Sequence, residues 1–401
     1  MRRIWILCIA FMLGLANVNV CQAEELKESE IYARSACLLD ADTGRVLYVK
    51  NGEQQMPMAS TTKIMTCILA LELGHANDLV TVSQRAARQP KVHMGASEGE
   101  QFLLKDLLYT LMLESHNDAA VMIAEHIGGT VEGFADLMNR KARELGCENT
   151  YFITPNGLDA EDEIGIHSTT VVDLAKIMRY CILESEEKDL FLEITQTPAY
   201  TFWNCEQTKL YQCTNHNAFL NMMEGALTGK TGYTNDAGYC YVGALQSEGK
   251  TLIVSLLACG WPNNKNYKWV DTKKLMNYGL QQYSICDVFE DKEFARINVK
   301  NGQSEALDGI AKVRVGFEES EEEESLPLLL RDGENVEIIY DIPSQLSAPV
   351  KKGEQVGKAD YYIEGMFLKS YPIYAMEEVK EIDYSWCLDK IIERYKIIAA
   401  R

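Results

Sequence analysis

The stretch GYCYVGALQSEGKTLIVSLLACG occupies residues 238–260 and contains two apolar runs rich in β-branched and aromatic residues. A Ser-Glu-Gly turn separates the runs, so the pattern predicts a β-hairpin. A second predicted hairpin, ARSACLLDADTGRVLYVKNGEQ, occupies residues 33–54. Because the two hairpins flank a helical middle, we expect an α+β fold, in which distant segments complete one antiparallel sheet and helices pack on it.

The segment between the hairpins shows helical patterns that end at glycines. Residues 60–74 read STTKIMTCILALELG, residues 104–129 read LKDLLYTLMLESHNDAAVMIAEHIGG, and residues 131–146 read VEGFADLMNRKARELG. A glycine directly after an apolar periodic run is a typical helix stop. We therefore predict a helix in each of these segments.

The chain has 401 residues, of which 47% are hydrophobic, and this is enough for two domains with buried cores. Its formal net charge is −20 at pH 7. Phosphate backbones select basic surfaces, so no nucleic-acid partner is expected for so acidic a chain.

The first residues have the layout of a secretory signal peptide. Two arginines precede an apolar run at residues 4–16, and the small residues Cys21 and Ala23 follow. The run is short for a membrane span, so we expect residues 1–23 to be cleaved and the mature protein to be exported. Lipid attachment at Cys21 is an alternative, which the larger Val20 before it disfavours.

Ten cysteines remain after residue 23, and an even number in an exported chain permits disulfides. Cys67, Cys181 and Cys259 have apolar neighbours and are expected to be buried thiols. Cys205 and Cys213, in a short polar stretch, are the favoured pair for a bridge. No Cys-x-x-Cys pair occurs, so a zinc ribbon is not expected.

The pattern changes after the segment 24–283, which we interpret as the main domain. Short alternating strands such as KVRVGF and NVEIIYDI, broken by turns, predict a small β domain over residues 284–376. Within it, the acidic stretch EESEEEES at residues 318–325 is expected to be a solvated loop and not a metal site.

The tail, residues 377–401, has apolar residues at helix spacing. One interpretation is a helix that packs on its own protein. The other is a helix that lies in a membrane surface, where Trp386 and Tyr395 would suit the headgroup zone. The sequence favours neither. The apolar positions are Leu388, Ile391, Ile392, Tyr395 and Ile398.

A Lys-Thr-Gly at residues 230–232 precedes the 238–260 hairpin, within the stretch GALTGKTGYT. This context looks like a phosphate-binding loop. The P-loop template needs five residues from its first glycine to the glycine before the lysine, but Gly225 and Gly229 are only four apart. Glu224 holds the position that would fit. ATP hydrolysis is therefore disfavoured, and the Lys-Thr-Gly needs another explanation.

Ser60 and Lys63 open the first predicted helix, where residues three apart share a face. A helix N-terminus favours developing negative charge on the serine. A serine needs a base to become a nucleophile. Lys63 can be that base if burial or the cation Lys230 lowers its pKa. A second Ser-x-x-Lys, at residues 185–188, lies in a charged stretch and is expected to have no catalytic role.

Ser115, His116 and Asn117 interrupt an apolar helical region, and such polar side chains need partners if they are buried. A solvent-facing turn is the alternative. The order Ser-x-x-Lys, Ser-x-Asn, Lys-Thr-Gly on these predicted elements is a much more specific signal than any one motif.

Together the motifs resemble those of the penicillin-binding and serine β-lactamase superfamily. Residues 30–376 resemble the low-molecular-weight D-alanyl-D-alanine carboxypeptidases, the penicillin-binding protein 5 and DacF-like group. Supporting stretches are SACLLDADTGRVLY, TPNGLDAEDE, HSTTVVDLAKI, TNHNAFL, GKTGYTNDAGYC and APVKKGEQVGKADYY. The resemblance implies a transpeptidase-like domain with helices on both sides of the sheet, a small all-β domain and an amphipathic tail that anchors such enzymes to the membrane.

The resemblance also implies a function: removal of the terminal D-alanine from peptidoglycan stem peptides, with inhibition by β-lactams and without a cofactor or metal. Ser60 would attack the carbonyl, Lys63 would take its proton and Ser115 would relay a proton to the leaving amine. Asn117 would position the substrate amide. The strand residues implied in substrate binding are Lys230, Thr231, Gly232 and Tyr233, with the N–H groups of Ser60 and Tyr233 as the oxyanion hole.

Three histidines need an interpretation. His116 stands where many relatives have a small residue, often glycine, and we expect its ring to point away from the reaction. His167 and His216 are expected to be structural and not metal ligands.

Other functions stay open. A class A β-lactamase would need a glutamate for deacylation, and no Glu-x-x-Leu-Asn stretch supplies it. An endopeptidase that cuts peptide cross-links has the same motifs, although the second domain favours the carboxypeptidase. A non-catalytic wall-binding or penicillin-sensing protein belongs to a different class, and the intact motif residues weigh against it.

Overall fold

A computed structural model describes residues 26–318 and 324–399 of the chain. The predicted signal peptide and residues 319–323 of the acidic stretch lie outside the described residues. Short 3-10 segments occur at Glu28–Glu30, Ala59–Thr62 and Ala218–Asn221, and a π-helical turn occurs at Tyr180–Glu184. The α-helices are α1 (Lys63–Leu73), α2 (Gln84–Ala87), α3 (Leu104–Leu113), α4 (Asn117–Gly128), α5 (Val131–Glu144), α6 (Val171–Arg179), α7 (Lys188–Gln196), α8 (Tyr267–Gln282) and α9 (Tyr384–Ala399).

The strands alternate with these helices and then follow one another after α8. They are β1 (Ser35–Asp40), β2 (Val46–Lys50), β3 (Leu79–Thr81), β4 (Gln101–Leu103), β5 (Ala199–Trp203), β6 (Leu210–Thr214), β7 (Ala226–Thr234), β8 (Gly238–Ser247), β9 (Lys250–Leu257), β10 (Tyr283–Asp287), β11 (Ile297–Lys300), β12 (Ala311–Val313), β13 (Val315–Gly316), β14 (Pro327–Arg331), β15 (Val336–Asp341), β16 (Gln345–Ser347), β17 (Gln355–Ile363) and β18 (Met366–Ala375).

The main sheet is antiparallel, with the strand order β2-β1-β9-β8-β7. Strands β1 and β9 pair from Ser35 opposite Leu257 to Asp40 opposite Leu252. The two predicted hairpins, β1–β2 and β8–β9, therefore meet edge to edge. This confirms the prediction of one antiparallel sheet completed by distant segments.

Helices cover both faces of this sheet. Side chains alternate along a strand, so Cys37 and Leu39 of β1 enter the core formed with α1 and α3–α7, whereas Ala36 and Leu38 enter the core formed with α8. Helix α1 is buried at nine of its eleven residues, as expected for a helix that is apolar nearly all round. The layered α+β fold implied by the resemblance is confirmed.

A β-rich unit with its own core follows α8. It contains a sheet of order β13-β18-β17-β15 and a smaller sheet of order β12-β11-β16. Their inner faces share a core that includes Val313, Tyr361 and Ile373. This confirms the prediction of a small β domain after the main domain.

The junction between the two units is buried and polar. Strand β10 leaves α8 directly and pairs with β14 of the second unit. From the turn after β1, Arg45 donates to the Leu329 carbonyl at 2.7 Å and to the Glu334 carboxylate. The side chains of Arg45 and Glu334 are only 8% and 6% exposed. The ion pair therefore joins the first unit to the β-rich unit at a place that is largely shielded from water.

The tail forms the predicted helix, α9, but three apolar side chains that the structure describes on it are exposed. Leu388 is 45% exposed, Ile391 is 42% exposed and Tyr395 is 70% exposed. The interpretation in which this helix packs on its own protein is therefore wrong for these residues. Across residues 26–318 and 324–399, no helix is long and apolar enough to cross a membrane.

The predicted bridge between Cys205 and Cys213 is wrong, since both are free thiols. Cys213 lies on β6 opposite Tyr200 and packs into the core, whereas Cys205 lies in the exposed turn before β6. Cys213 is therefore placed by packing in the core against α3 and not by a disulfide with Cys205. Three thiols that were predicted to be buried are buried: Cys67, Cys181 and Cys259.

We predict that Arg45→Met lowers the free energy of unfolding by about 3 kcal/mol, because the buried Glu334 carboxylate loses its cation and keeps only the Arg331 N–H as a donor. Urea denaturation followed by tryptophan fluorescence measures the change. The double variant Arg45→Met/Glu334→Leu should recover most of the loss, because no charge then stays buried. Equal stability of Arg45→Met and the unmodified protein would contradict the assignment.

Candidate active site

Ser60 and Lys63 meet at the start of α1. Ser60 lies in the 3-10 turn Ala59–Thr62, and Lys63 is the first residue of the helix. The Lys63 ammonium nitrogen Nζ donates to the Ser60 hydroxyl at 2.9 Å. Ser60 is half-buried, whereas Lys63 is fully buried. The spacing of the Ser-x-x-Lys motif thus places an open hydroxyl against an enclosed amine.

Two further oxygens surround the Lys63 amine. Its Nζ donates to Oδ1 of Asn117 at 2.9 Å and to the main-chain carbonyl of Asn156 at 2.5 Å. Burial moves the pKa of Lys63 well below its ordinary value, the positive charge of Lys230 lowers it further, and Asp118 opposes the shift. The direction is the one expected for a lysine that acts as a base near neutral pH.

A second lysine faces the second serine. Lys230 on β7 donates from Nζ to the Ser115 hydroxyl at 2.9 Å and to the Thr231 carbonyl at 3.0 Å. Burial lowers the pKa of Lys230 to about 7. Ser115 has a backbone φ of +65°, a conformation that residues other than glycine rarely adopt. This backbone turns its hydroxyl towards β7, so Ser115 is not part of a solvent-facing turn.

The β7 strand lies directly against the 3-10 turn. An added Cβ at Gly232 would lie 2.9 Å from the Ser60 nitrogen, so the strand comes this close only because residue 232 is glycine. Thr231 is half-buried and Tyr233 is 37% exposed, beside Ser60 at the open side of the site. The β7 edge and the 3-10 turn that carries Ser60 therefore lie directly side by side.

Two loops that sequence reasoning missed complete the site. Pro90 and Val92 accept hydrogen bonds through their carbonyls from the Asn117 side chain and main chain, at 3.1 and 2.8 Å. The other loop carries Asn156, whose carbonyl contacts Lys63. Gly157 follows it with φ +84°, and an added Cβ there would lie 1.9 Å from the Ala59 carbonyl oxygen. Glycine after Asn156, in the stretch TPNGLDAEDE, was the available signal for a close backbone approach.

His167 is structural, as expected. Its Nδ1 accepts from the Ile153 N–H at 2.9 Å, so the proton resides on Nε2, which contacts the Thr62 hydroxyl at 2.9 Å. Burial lowers the pKa of His167 to about 4, and the Lys63 charge adds to this effect. A neutral His167 thus supports the turn that carries Ser60.

The remaining sequence motifs lie elsewhere. His216 pairs with Glu114 at 2.8 Å, and no group of residues suited to a metal ion occurs in the described part of the chain. In the second Ser-x-x-Lys, the Ser185 hydroxyl donates to Glu72 and the Lys188 amine donates to the Leu183 carbonyl. These contacts fit the prediction that the second motif has no catalytic role.

We predict that His167 makes the fold less stable as the pH falls from about 6.5 to about 4. The unfolded chain binds a proton on His167 below about 6.5, whereas the folded protein resists protonation until about 4, so acid favours unfolding across this window. The loss is on the order of 3 kcal/mol. Urea midpoints measured from pH 7 to pH 4 should fall less steeply for His167→Gln than for the exposed control His75→Gln. Equal slopes would contradict the prediction.

Comparison with known proteins agrees with this geometry. Residues 21–259 match the D-alanyl-D-alanine carboxypeptidase family profile, and residues 288–381 match the profile of the penicillin-binding protein 5 C-terminal domain.

Individual relatives cover most of the chain. The D-alanyl-D-alanine carboxypeptidase DacF of Bacillus subtilis is 30% identical over 88% of this chain and 87% of its own length. A D-alanyl-D-alanine endopeptidase of Escherichia coli is 30% identical over 60% of this chain and 77% of its own length. The crystal structure of penicillin binding protein 5 from Haemophilus influenzae aligns with a TM-score of 0.68 at 27% identity, over 89% of this chain and 100% of that one. The protein therefore belongs to the D-alanyl-D-alanine carboxypeptidase family.

Proposed function

We propose that the protein is a serine carboxypeptidase that removes the terminal D-alanine from peptidoglycan stem pentapeptides and is acylated by penicillin at Ser60. The observation that carries this proposal is the pair of 2.9 Å contacts, Lys63 to Ser60 and Lys230 to Ser115, in two serine–lysine pairs close enough for the Lys230 charge to lower the pKa of Lys63. We further propose that residues 24–283 form the catalytic domain and residues 284–376 the β domain.

Acylation begins with a neutral Lys63, whose low pKa makes that state accessible. Its Nζ takes the proton of Ser60, and Oγ attacks the carbonyl carbon between the two D-alanines. The N–H groups of Ser60 and Tyr233 stabilise the oxyanion, and donors of this kind lower the barrier by about 3 kcal/mol each. Asn117 holds Lys63 in place and binds the substrate amide.

Collapse of the tetrahedral intermediate breaks the bond to the terminal D-alanine. Ser115 passes the proton that Lys63 took from Ser60 to the leaving nitrogen, which returns Lys63 to its neutral form. Lys230 holds the Ser115 hydroxyl in position. Lys230 and the Thr231 hydroxyl bind the terminal carboxylate, whose negative charge favours the protonated form of Lys230. Water then releases the shortened peptide from Ser60. The steps use only side chains and water, without a cofactor or metal.

Two other functions compete. A peptide endopeptidase would use the same site, and one relative carries that name. A non-catalytic wall-binding protein would not need a buried, activated Lys63. The β-rich unit favours the carboxypeptidase, because the carboxypeptidase DacF aligns with 88% of this chain whereas the endopeptidase aligns with 60%.

The protein is proposed to act outside the cytoplasm, at the cell envelope. The basic and apolar N-terminal layout supports export. Exposure of Leu388, Ile391 and Tyr395 on α9 supports contact of this helix with a membrane surface, since exposed apolar side chains on an amphipathic helix favour an interface.

We predict that the mature protein releases D-alanine from a peptide ending in D-Ala-D-Ala and that Ser60→Ala abolishes the release, because no nucleophile remains. Ser185→Ala, in the second Ser-x-x-Lys, is the matched control and should keep full activity. A coupled D-amino-acid oxidase assay measures release. Release by Ser60→Ala at the rate of the unmodified protein would contradict the proposal, and cleavage of only a cross-linked peptide dimer would favour the endopeptidase.

We predict that the mature protein floats with zwitterionic liposomes and that removal of residues 384–401 abolishes flotation, because α9 supplies the apolar contact. The cut after Asp383 keeps Val379, which is buried in the second core. A full-length variant with glutamine at Leu388, Ile391 and Ile392 should also lose binding. Unchanged flotation of both variants would exclude α9 as the membrane contact.

A further inference from the structure

The backbone of Ser115 is strained, so neighbouring contacts must maintain its conformation. Its φ of +65° belongs to a region that costs residues other than glycine about 1–3 kcal/mol. Such a conformation persists only where neighbouring contacts determine it. The strained residue carries a hydroxyl that must stay 2.9 Å from Lys230, so these contacts bear on the reaction.

The contacts come from the end of α3. The carbonyl of Thr110 accepts the main-chain N–H of Glu114 at 3.3 Å and of His116 at 3.5 Å, on either side of Ser115. The Thr110 hydroxyl also pairs with Nδ1 of His116. Thr110 itself is completely buried. His116 is therefore joined to one buried residue through both its backbone and its ring.

His116 is also joined to the next helix. Its carbonyl accepts the N–H of Ala120 at 3.4 Å, in the first turn of α4. Its ring thus ties the start of α4, which carries Asn117, to the end of α3. A glycine at this position would keep the backbone contacts and lose the ring contact.

Burial favours the neutral form of the His116 ring, against the two nearby carboxylates. Burial is the main cause that lowers the pKa of His116, with Lys63 on α1 and His93 in the loop before β4 acting in the same direction. Asp118 on α4 and Glu114 after α3 oppose them. A neutral ring adds no positive charge beside Lys63, so it can fix the turn without disturbing the base.

We propose that His116 is a positioning residue. The contact of its Nδ1 with the Thr110 hydroxyl holds Ser115 in its left-handed backbone conformation, in which the Ser115 hydroxyl contacts Lys230. The proposal rests on the proton-relay role proposed for Ser115. Loss of the contact lets Ser115 relax towards ordinary backbone angles. The rate of acylation then falls, whereas non-covalent binding of the ligand, which depends on Lys230 and Thr231, is kept.

The test measures acylation of the mature protein by a fluorescent penicillin at several concentrations, which separates the acylation rate constant from the dissociation constant. His116→Leu should lower the rate constant by about tenfold to a hundredfold, with the dissociation constant unchanged. His116→Asn, which keeps a polar atom near the place of Nδ1, should stay within about twofold of the unmodified protein. Thr110→Val removes the same contact without altering the turn and should match His116→Leu.

A double-variant comparison decides whether the effect passes through Thr110. In the Thr110→Val background, His116→Leu should cause no further loss of the acylation rate constant. His116→Asn should there react no faster than His116→Leu, since the effects of residues that act through one contact are not additive. Additive losses would overturn the proposal. The proposal would also be overturned if His116→Asn still reacted faster than His116→Leu in the Thr110→Val background, because asparagine would then act only as an N-cap of α4.

The proposal and the proposed function fail in different ways. Normal acylation by His116→Leu or Thr110→Val, with active unmodified protein, would overturn the role of His116 alone. A rise in the dissociation constant of these variants, with no change in their acylation rate constant, would also overturn it. Unmodified, folded protein that forms no adduct would overturn the proposed function and this role with it.

Discussion

The buried amine of Lys63 is the constraint around which the site is built. Oxygen atoms from three separate segments accept its hydrogen bonds: the Ser60 hydroxyl, the Asn117 side chain and the Asn156 carbonyl. A buried charge without partners is strongly destabilising, so the fold must deliver these oxygens to one point. The same burial, together with the charge of Lys230, lowers the pKa of Lys63. Burial therefore favours the neutral amine that the proposed base needs, while the three oxygens supply its hydrogen-bond partners.

The backbone geometry around Ser60 follows from that constraint. The 3-10 turn of Ser60 is enclosed by β7 on one side and by the loop of Asn156 on the other. Each approach happens at a glycine, Gly232 on the strand and Gly157 in the loop, where an added Cβ would lie 2.9 Å and 1.9 Å from main-chain atoms of the turn. Ser60 is thus held by main chain on both sides, and the side chains of Lys63 and Lys230 are left for the proton transfer and carboxylate binding proposed above.

Much of this arrangement is readable from the sequence. The hairpins that become β1–β2 and β8–β9 carry alternating apolar residues and turn signals, and they predicted the central sheet. The Ser-x-x-Lys spacing predicted the contact of Ser60 with Lys63, since it depends only on helix geometry near one terminus. The motif order singled out the cluster that Lys230 and Ser115 complete. Each hairpin and each motif is encoded by residue types at short range, whereas the contact of Lys230 with Ser115 joins residues 115 positions apart.

Other features are not encoded in that way. The Asn156 carbonyl is a backbone atom that any residue could supply, so its contact with Lys63 left only the neighbouring glycine as a signal. The Cys205–Cys213 pairing was wrong because short separation and polar neighbours do not reveal that Cys213 faces the core. The exposure of the apolar residues on α9 depends on where the helix lies relative to the β-rich unit. Helical periodicity alone does not specify that placement.

The measurement that tests the central claim most directly is mass spectrometry of the protein during reaction with penicillin, for the unmodified chain and for Lys63→Ala. Peptide mapping locates the adduct, and the time course gives its rate of formation. The account predicts an adduct on the peptide that contains Ser60, formed at least about a hundredfold more slowly in Lys63→Ala because the general base is lost. An adduct on another residue, or acylation of Lys63→Ala at the unmodified rate, would contradict it.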